Sequence, residues 1–165
     1  MPTTQVILTR HAEKIRTGNP PPADPNLTPE GEARARRLGE FLRDLRVPVG
    51  AVYCSDALRT NRTASLAIEA GGLGGSPIVV AAARWRDVAT QILARAAADE
   101  LILVVHHANT VPFIAHALGV DPEPAEIGDL DFEQLWTIAL RTSPLLVKFG
   151  RHPPAPPPPR AAGTP

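Results

Sequence analysis

Short apolar runs alternate with longer stretches whose apolar residues recur every three or four positions. Gln5 to Thr9 carries the continuous run Val6-Ile7-Leu8, the pattern of a short buried strand. The segment after it holds Gly18, Pro20, Pro21, Pro22 and Pro25, too rich in proline for a helix. Thr28-Pro29-Glu30 has the makeup of a helix start: a capping hydroxyl, proline in the first turn and an acid against the helix dipole. Leu38, Phe41, Leu42 and Leu45 then mark one apolar face.

The alternation continues. Val49 to Cys54 predicts a second strand, and a helix follows from near Ala57, with Ala64, Ala67 and Ile68 inward and Gly71-Gly72 ending it. Ile78 to Ala81 predicts a third strand, Asp87 the start of a helix carrying Val88, Ile92 and Leu93, and Leu101 to Val105 a strongly apolar fourth strand. A helix from Thr110 to Leu118 is closed by Gly119, and Leu135 to Leu140 and Leu145 to Phe149 read as a terminal hairpin across Arg141 to Pro144. Strands separated by helices pair in parallel, so the expected fold is α/β. It is a three-layer α/β/α sandwich around a mostly parallel, doubly wound sheet, to which the hairpin adds one antiparallel strand.

Length and composition narrow the picture. At 165 residues with 44% hydrophobic residues the chain suits one domain, expected over residues 1–150. Residues 151–165 are mostly Pro, Ala and Gly and are expected to form a tail without a packed core. Acidic and basic residues balance at 17 each without blocks of like charge, which argues against nucleic-acid or membrane partners held by bulk electrostatics. Fifteen of the cations are arginine, a bias that composition explains as readily as function. Cys54 is the only cysteine, so an intrachain disulfide is impossible. The first residues lack a basic segment followed by a signal-type apolar core, and a cytoplasmic location is expected.

Candidate chemistry sits at the ends of three strands, where open α/β sheets bind ligands. Leu8-Thr9-Arg10-His11-Ala12-Glu13-Lys14 places an arginine and a histidine directly after the first strand. Tyr53-Cys54-Ser55-Asp56-Ala57-Leu58-Arg59 puts Arg59 in the first turn of the following helix, where a guanidinium and free N–H groups favour phosphate. Leu103-Val104-Val105-His106-His107-Ala108-Asn109-Thr110 sets two histidines after the fourth strand. Consecutive strand side chains diverge, so one of them is expected to reach the crevice. The same divergence counts against a metal held by His11, His106 and His107, and Cys54 stands one residue too close to Arg59 for a cysteine-phosphatase loop.

In this order, Leu-Thr-Arg-His-Ala-Glu-Lys, Leu-Thr-Pro-Glu-Gly, Ser-Asp-Ala-Leu-Arg with Thr63-Ala64, and Val-His-His-Ala-Asn-Thr resemble the histidine phosphatase superfamily, the phosphoglycerate mutase-like branch, over about residues 5 to 140. The resemblance implies a phosphoglycerate mutase-like fold and a phosphatase that hydrolyses phosphate monoesters through a phosphohistidine on His11. Arg10, Arg59 and His107 would bind and stabilise the transferring phosphoryl group. No cofactor and no metal are implied, and the substrate would be a small phosphorylated metabolite or a phosphoprotein. Mutase activity is less expected, because mutases of the family carry inserted segments that are absent here. Alternatives are a protein phosphohistidine phosphatase and a catalytically weak phosphate-binding or scaffold module of the same fold.

The chain departs from the pattern at Ala12 and His106, both glycine positions in the family. The family's mid-chain glutamate, which protonates the leaving oxygen, has no counterpart, leaving Asp87 and, alternatively, Glu13 as proton donors. The loop from Arg16 to Leu27 and the residues near Trp85 and Arg86 are expected to form pocket walls, and His116 and His152 to lie away from the crevice. The sequence carries no signal for oligomeric state.

Overall fold

The computed structural model describes residues 3–121, 123–140 and 145–151. The elements run β1 (Gln5–Arg10), α1 (Pro29–Asp44), β2 (Val49–Ser55), α2 (Leu58–Gly71), β3 (Ile78–Val80), α3 (Trp85–Ala94), β4 (Leu101–His106), α4 (Val111–Ala117), β5 (Gln134–Ala139) and β6 (Leu145–Arg151). Six strands form one sheet in the order β3-β2-β4-β1-β5-β6. The first four are mutually parallel; β5 runs antiparallel to β1, and β6 antiparallel to β5. This is the expected doubly wound sheet, closed by the expected hairpin. Its connection, Arg141 to Pro144, lies outside the described residues, as does the proline-rich segment beyond β6 with His152.

Strand alternation divides the core into two slabs. Val6, Leu8, Ala51, Tyr53, Ile102 and Val104 pack with Val88 and Ile92 of α3 and Val111 and Ile114 of α4. Ile7, Val52, Cys54, Leu101, Leu103 and Val105 pack on the opposite face with Leu38 and Leu42 of α1 and Ala64, Ala67 and Ile68 of α2. A period of two in the strands therefore generates the three layers. Every residue of β4 is buried, as a parallel strand covered on both faces must be. Helix α1 starts as its sequence dictates, with the Thr28 hydroxyl accepting from the Gly31 N–H at 3.1 Å.

Two glycines of α1 permit close approaches. A Cβ on Gly39 would lie 2.0 Å from the Ala67 carbonyl oxygen of α2, and one on Gly31 would lie 2.3 Å from the carbonyl oxygen of Glu13. The second contact seats α1 directly against the segment that follows β1.

Some expectations are corrected. Helix α3 begins at Trp85 rather than Asp87, and Leu93 and Leu45 are exposed rather than buried. Strand β6 continues through Arg151, two residues past its expected end at Phe149. Among the described residues no helix is long and apolar enough to cross a membrane.

Candidate active site

Strands β1, β2 and β4 end side by side, with Arg10 opposite His106 and the His11 N–H donating to the His106 carbonyl at 2.9 Å. Just beyond this edge lies a cavity of about 500 Å³ lined by Arg10, His11, Lys14, Arg59, Ala82, His107 and Asn109, with Glu126 and Asp129 also in its wall. The four residues expected to work on phosphate, His11, Arg10, Arg59 and His107, are thus brought together from three separate segments.

His11 is held as one tautomer. Its Nδ1 lies 2.7 Å from the Ala12 carbonyl, which can only accept, so Nδ1 carries the proton and the lone pair resides on Nε2. The peptide supplying that carbonyl is itself anchored: the Ala12 N–H donates to the Thr63 hydroxyl at 3.1 Å, which donates to the Arg59 carbonyl at 2.7 Å. The Ala12 methyl packs with Leu27, Ala35 and Leu66, so alanine is accommodated beside the histidine without entering the cavity. Burial first, then the charges of Arg10, Arg59 and His107, push the His11 pKa down to about 3. Burial is thus a larger cause than the neighbouring cations.

The cations are fixed by neutral partners and sparse carboxylates. Arg10 donates through Nη1 to the Gly128 carbonyl at 2.6 Å and lies 4.3 Å above the Phe132 ring, while its buried Nε has no partner. Arg59 donates through Nη1 to Asp24 and through Nη2 to His107 Nδ1, each at 3.3 Å, and its buried Nε is likewise unpaired. Because a guanidinium only donates, His107 Nδ1 accepts and Nε2 carries the proton, donating to Ser55 Oγ at 2.9 Å. Ser55 continues the chain to the Thr60 hydroxyl at 2.6 Å, which donates to the Ala57 carbonyl at 2.8 Å. Burial, then Arg59, push the His107 pKa down to about 4.

His106 turns away from the cavity and is fully buried, its Nδ1 2.5 Å from the Thr110 hydroxyl and its Nε2 without a partner. Its pKa is also pushed down to about 4, mainly by burial. Only one of the paired histidines therefore lines the cavity, as strand geometry requires. Cys54 is fully buried in the α1/α2 slab, and burial pushes its thiol up to about 12, so it has neither the access nor the thiolate for nucleophilic chemistry.

Neither candidate proton donor lines the cavity. Asp87 sits in the first turn of α3, where it pairs with Arg84. Glu13 is claimed by Arg34 of α1 in a bidentate contact of 2.6 to 3.0 Å. Ala82, on the turn after β3, occupies the wall where an acid from that turn would project. Trp85 and Arg86 line a different cavity, with Phe113, His116 and Glu123. The residues that sequence reasoning missed are Lys14 and Ser55, both inside motifs already singled out, and Glu126 and Asp129, from a segment without periodic pattern.

Three neutral histidines, His11 and His106 buried and His107 half-buried, give a stability prediction. Each ionises near 6.5 when unfolded, but only near 3 to 4 when folded. Between those values the unfolded chain binds more protons, so their contribution is intact above about pH 6.5 and declines as pH falls toward 4, by about 1.4 kcal/mol per pH unit for each histidine. Urea unfolding between pH 7 and 5 checks this: His106→Asn should flatten the decline by about one histidine's share. An unchanged slope would show that His106 titrates alike in both states.

A model of the histidine phosphatase superfamily (branch 1) matches residues 6–80, the stretch that runs from β1 through β3 and holds Arg10, His11 and Arg59. Over this stretch the chain is similar to the histidine phosphatase superfamily. A curated relative, the 2,3-bisphosphoglycerate-dependent phosphoglycerate mutase of Corynebacterium glutamicum, is 43% identical over 56 residues. That match takes in 34% of this chain and 23% of the mutase's length. Solved structures extend the likeness of fold to about nine-tenths of the chain. The protein histidine phosphatase SixA, complexed with tungstate, superposes with a TM-score of 0.66 at 16% identity, covering 90% of this chain and 96% of its own. A SixA protein from Nakamurella multipartitia gives 0.65 at 24% identity, covering 93% and 98%. The mycobacterial glucosyl-3-phosphoglycerate phosphatase gives 0.65 at 16%, covering 90% and 99%. Against the superfamily pattern, this chain differs at Ala12 and His106, two positions flanking the histidines.

Proposed function

We propose that this chain is a histidine phosphatase that hydrolyses phosphate monoesters, without a metal, through a phosphohistidine on His11. The observation that carries the reading is the tautomer of His11: Nδ1–H is tied to the Ala12 carbonyl, so a lone pair is kept on Nε2 in a cavity ringed by Arg10, Lys14 and Arg59. In the first step His11 Nε2 forms a bond to phosphorus as the ester P–O bond breaks, and the leaving oxygen departs with the bonding pair and takes a proton. In the second, water attacks phosphorus, the P–N bond breaks and its electrons return to Nε2; the water's proton ends on solvent or phosphate.

Negative charge spread over the equatorial oxygens is met by guanidinium and ammonium groups already in place, which is where most of the acceleration arises. When the phosphoryl oxygens take the Arg59 Nη2 donor, His107 Nδ1 is released, gains a proton and becomes a further donor, still oriented by Ser55. With Asp87 and Glu13 engaged elsewhere, the carboxylates within reach of the leaving oxygen are those of Glu126 and Asp129 in the cavity wall. Both are on the exposed side of the chain, so substrates with good leaving groups are favoured.

The test is hydrolysis of p-nitrophenyl phosphate with and without EDTA, with acid-quench trapping of the intermediate. EDTA-resistant turnover and an acid-labile, alkali-stable phosphoenzyme are expected; turnover lost to EDTA or a phosphoenzyme stable to acid would remove the mechanism. The pH profile adds a second prediction. With His11 ionising near 3 and His107 near 4 in the free enzyme, neither produces a bend near 6.5. The profile of kcat/KM should bend where the substrate's own phosphate ionises, at about pH 6, and move with the substrate. A bend fixed near 6.5 across aryl phosphates would assign it to an enzyme histidine instead.

A second reading, a protein phosphohistidine phosphatase, is favoured by Ala82 in the cavity wall. A phosphoramidate's nitrogen leaves more readily than an alkoxide, so such a substrate needs no strong acid there. The fold shared with the SixA proteins is in keeping with it.

A further inference from the structure

A second cavity, about 270 Å³, opens beside the first and shares Lys14 and Arg59 with it. Its other walls are Ile15 and Arg16 on one side and Pro21, Pro22, Ala23 and Pro25 on the other. We propose that this cavity is a second anion subsite, so that the substrate of the His11 site is a small phosphomonoester carrying a further acidic group, such as a carboxylate or a second phosphate. The proposal rests on the phosphatase reading for the identity of the first group and adds the chemistry of the rest of the molecule.

Three cations border a space of this size, and no carboxylate lines it. Lys14 and Arg16 have no ion pair among the described residues; Arg16 donates only to the Asp129 backbone carbonyl, at 3.1 Å. The Lys14 ammonium is pushed down in pKa by partial burial and then by Arg59, Arg16 and Arg10, the response of a cation crowded by cations, which a bound anion would relieve. The Asp24 carboxylate is turned elsewhere, to the Leu58 N–H at 2.9 and 3.1 Å and to Arg59 Nη1, where it holds the guanidinium at the junction of the two cavities. Arg59 is thus placed to serve the phosphoryl group on one side and the second anion on the other.

The opposite wall suits recognition rather than chance. Prolines fix φ, so a wall built of Pro21, Pro22 and Pro25 is shaped in advance and loses little entropy on binding. The volume suits a carboxylate or phosphate with a few carbons and is small for a folded protein surface, which favours a metabolite as occupant.

The experiment uses the full chain and compares kcat/KM for meta- and para-carboxyphenyl phosphate with the neutral carbamoylphenyl phosphates of the same size. Their leaving groups need little acid assistance, so the comparison is independent of the proton donor. The acids should be favoured by about tenfold, chiefly through KM and less at high salt, since a few exposed charge contacts are worth roughly that factor. Arg16→Ala should cut this preference to about twofold and leave turnover of the carbamoyl compounds unchanged. Equal kcat/KM for acid and amide, or a preference that survives Arg16→Ala, overturns the subsite.

If no aryl phosphate turns over, the phosphatase reading fails separately. The subsite is then read by calorimetry with carboxyphenyl- and carbamoylphenylphosphonate: an Arg16-dependent preference for the acid sustains it, and equal affinity overturns it. A phosphopeptide with acidic neighbours that outcompetes the small dianions through Arg16 would overturn the assignment to a metabolite.

Discussion

His11→Ala is expected to lower kcat/KM for p-nitrophenyl phosphate by about five orders of magnitude and to eliminate the trapped phosphoenzyme, the scale seen when a nucleophile is removed. No neighbour is equipped to replace it. His107 has Nδ1 accepting from Arg59 and Nε2 donating to Ser55, and Cys54 is buried as a thiol. The cations of the cavity remain, so the variant should still bind inorganic phosphate. It should also fold, because the ring packs edge-on to His107 and tilted against Phe132 at the rim of the core, not within either slab. Retention of turnover to within about tenfold, with phosphate binding intact, would remove His11 as the nucleophile.

Arg59→Ala carries the second largest effect, a fall in kcat of about a hundredfold to a thousandfold, the usual loss when a donor preorganised for developing charge is deleted. Three consequences coincide in this one side chain. A guanidinium leaves the cavity, His107 Nδ1 loses its donor, and Asp24 loses the cation that partners it. Arg59→Lys should recover only part of the activity, since a single ammonium cannot address His107, Asp24 and the phosphoryl oxygens through a planar fork. Steady-state kinetics on the two variants decide the matter. A rise in KM with kcat preserved would make Arg59 a ground-state anchor, with no special role at the transition state.

The sheet was legible because both signals it depends on are local. Apolar runs of the right length named β1, β2 and β4, and a period of two foretold that only one of His106 and His107 would enter the crevice. The convergence of Arg10, His11, Arg59 and His107 on one cavity was legible for the same reason: strand ends and a helix start fix where they emerge. The carboxylates at the cavity were not. Asp87 lies at about the right point in the chain, but the helix begins two residues before it, and Asp87 pairs with Arg84. Glu13 follows His11 closely, yet long-range packing of α1 brings Arg34 to it. Glu126 and Asp129 reach the cavity from a segment between Val120 and β5 that has neither helical nor strand period, so nothing local could announce them. Ser55 and Lys14 stood in recognised motifs, but their partners are long-range and become visible only in three dimensions.

Ala12 bears on how this site fails. Its methyl belongs to a buried group with residues of the proline-rich loop, α1 and α2, and its peptide, clamped by Thr63, presents the carbonyl that sets the His11 tautomer. The setting of His11 is therefore cooperative with the helical layer behind it. Heating or a loosened α1 would release the imidazole's proton arrangement together with the fold, so loss of activity and loss of tertiary structure should occur in one event.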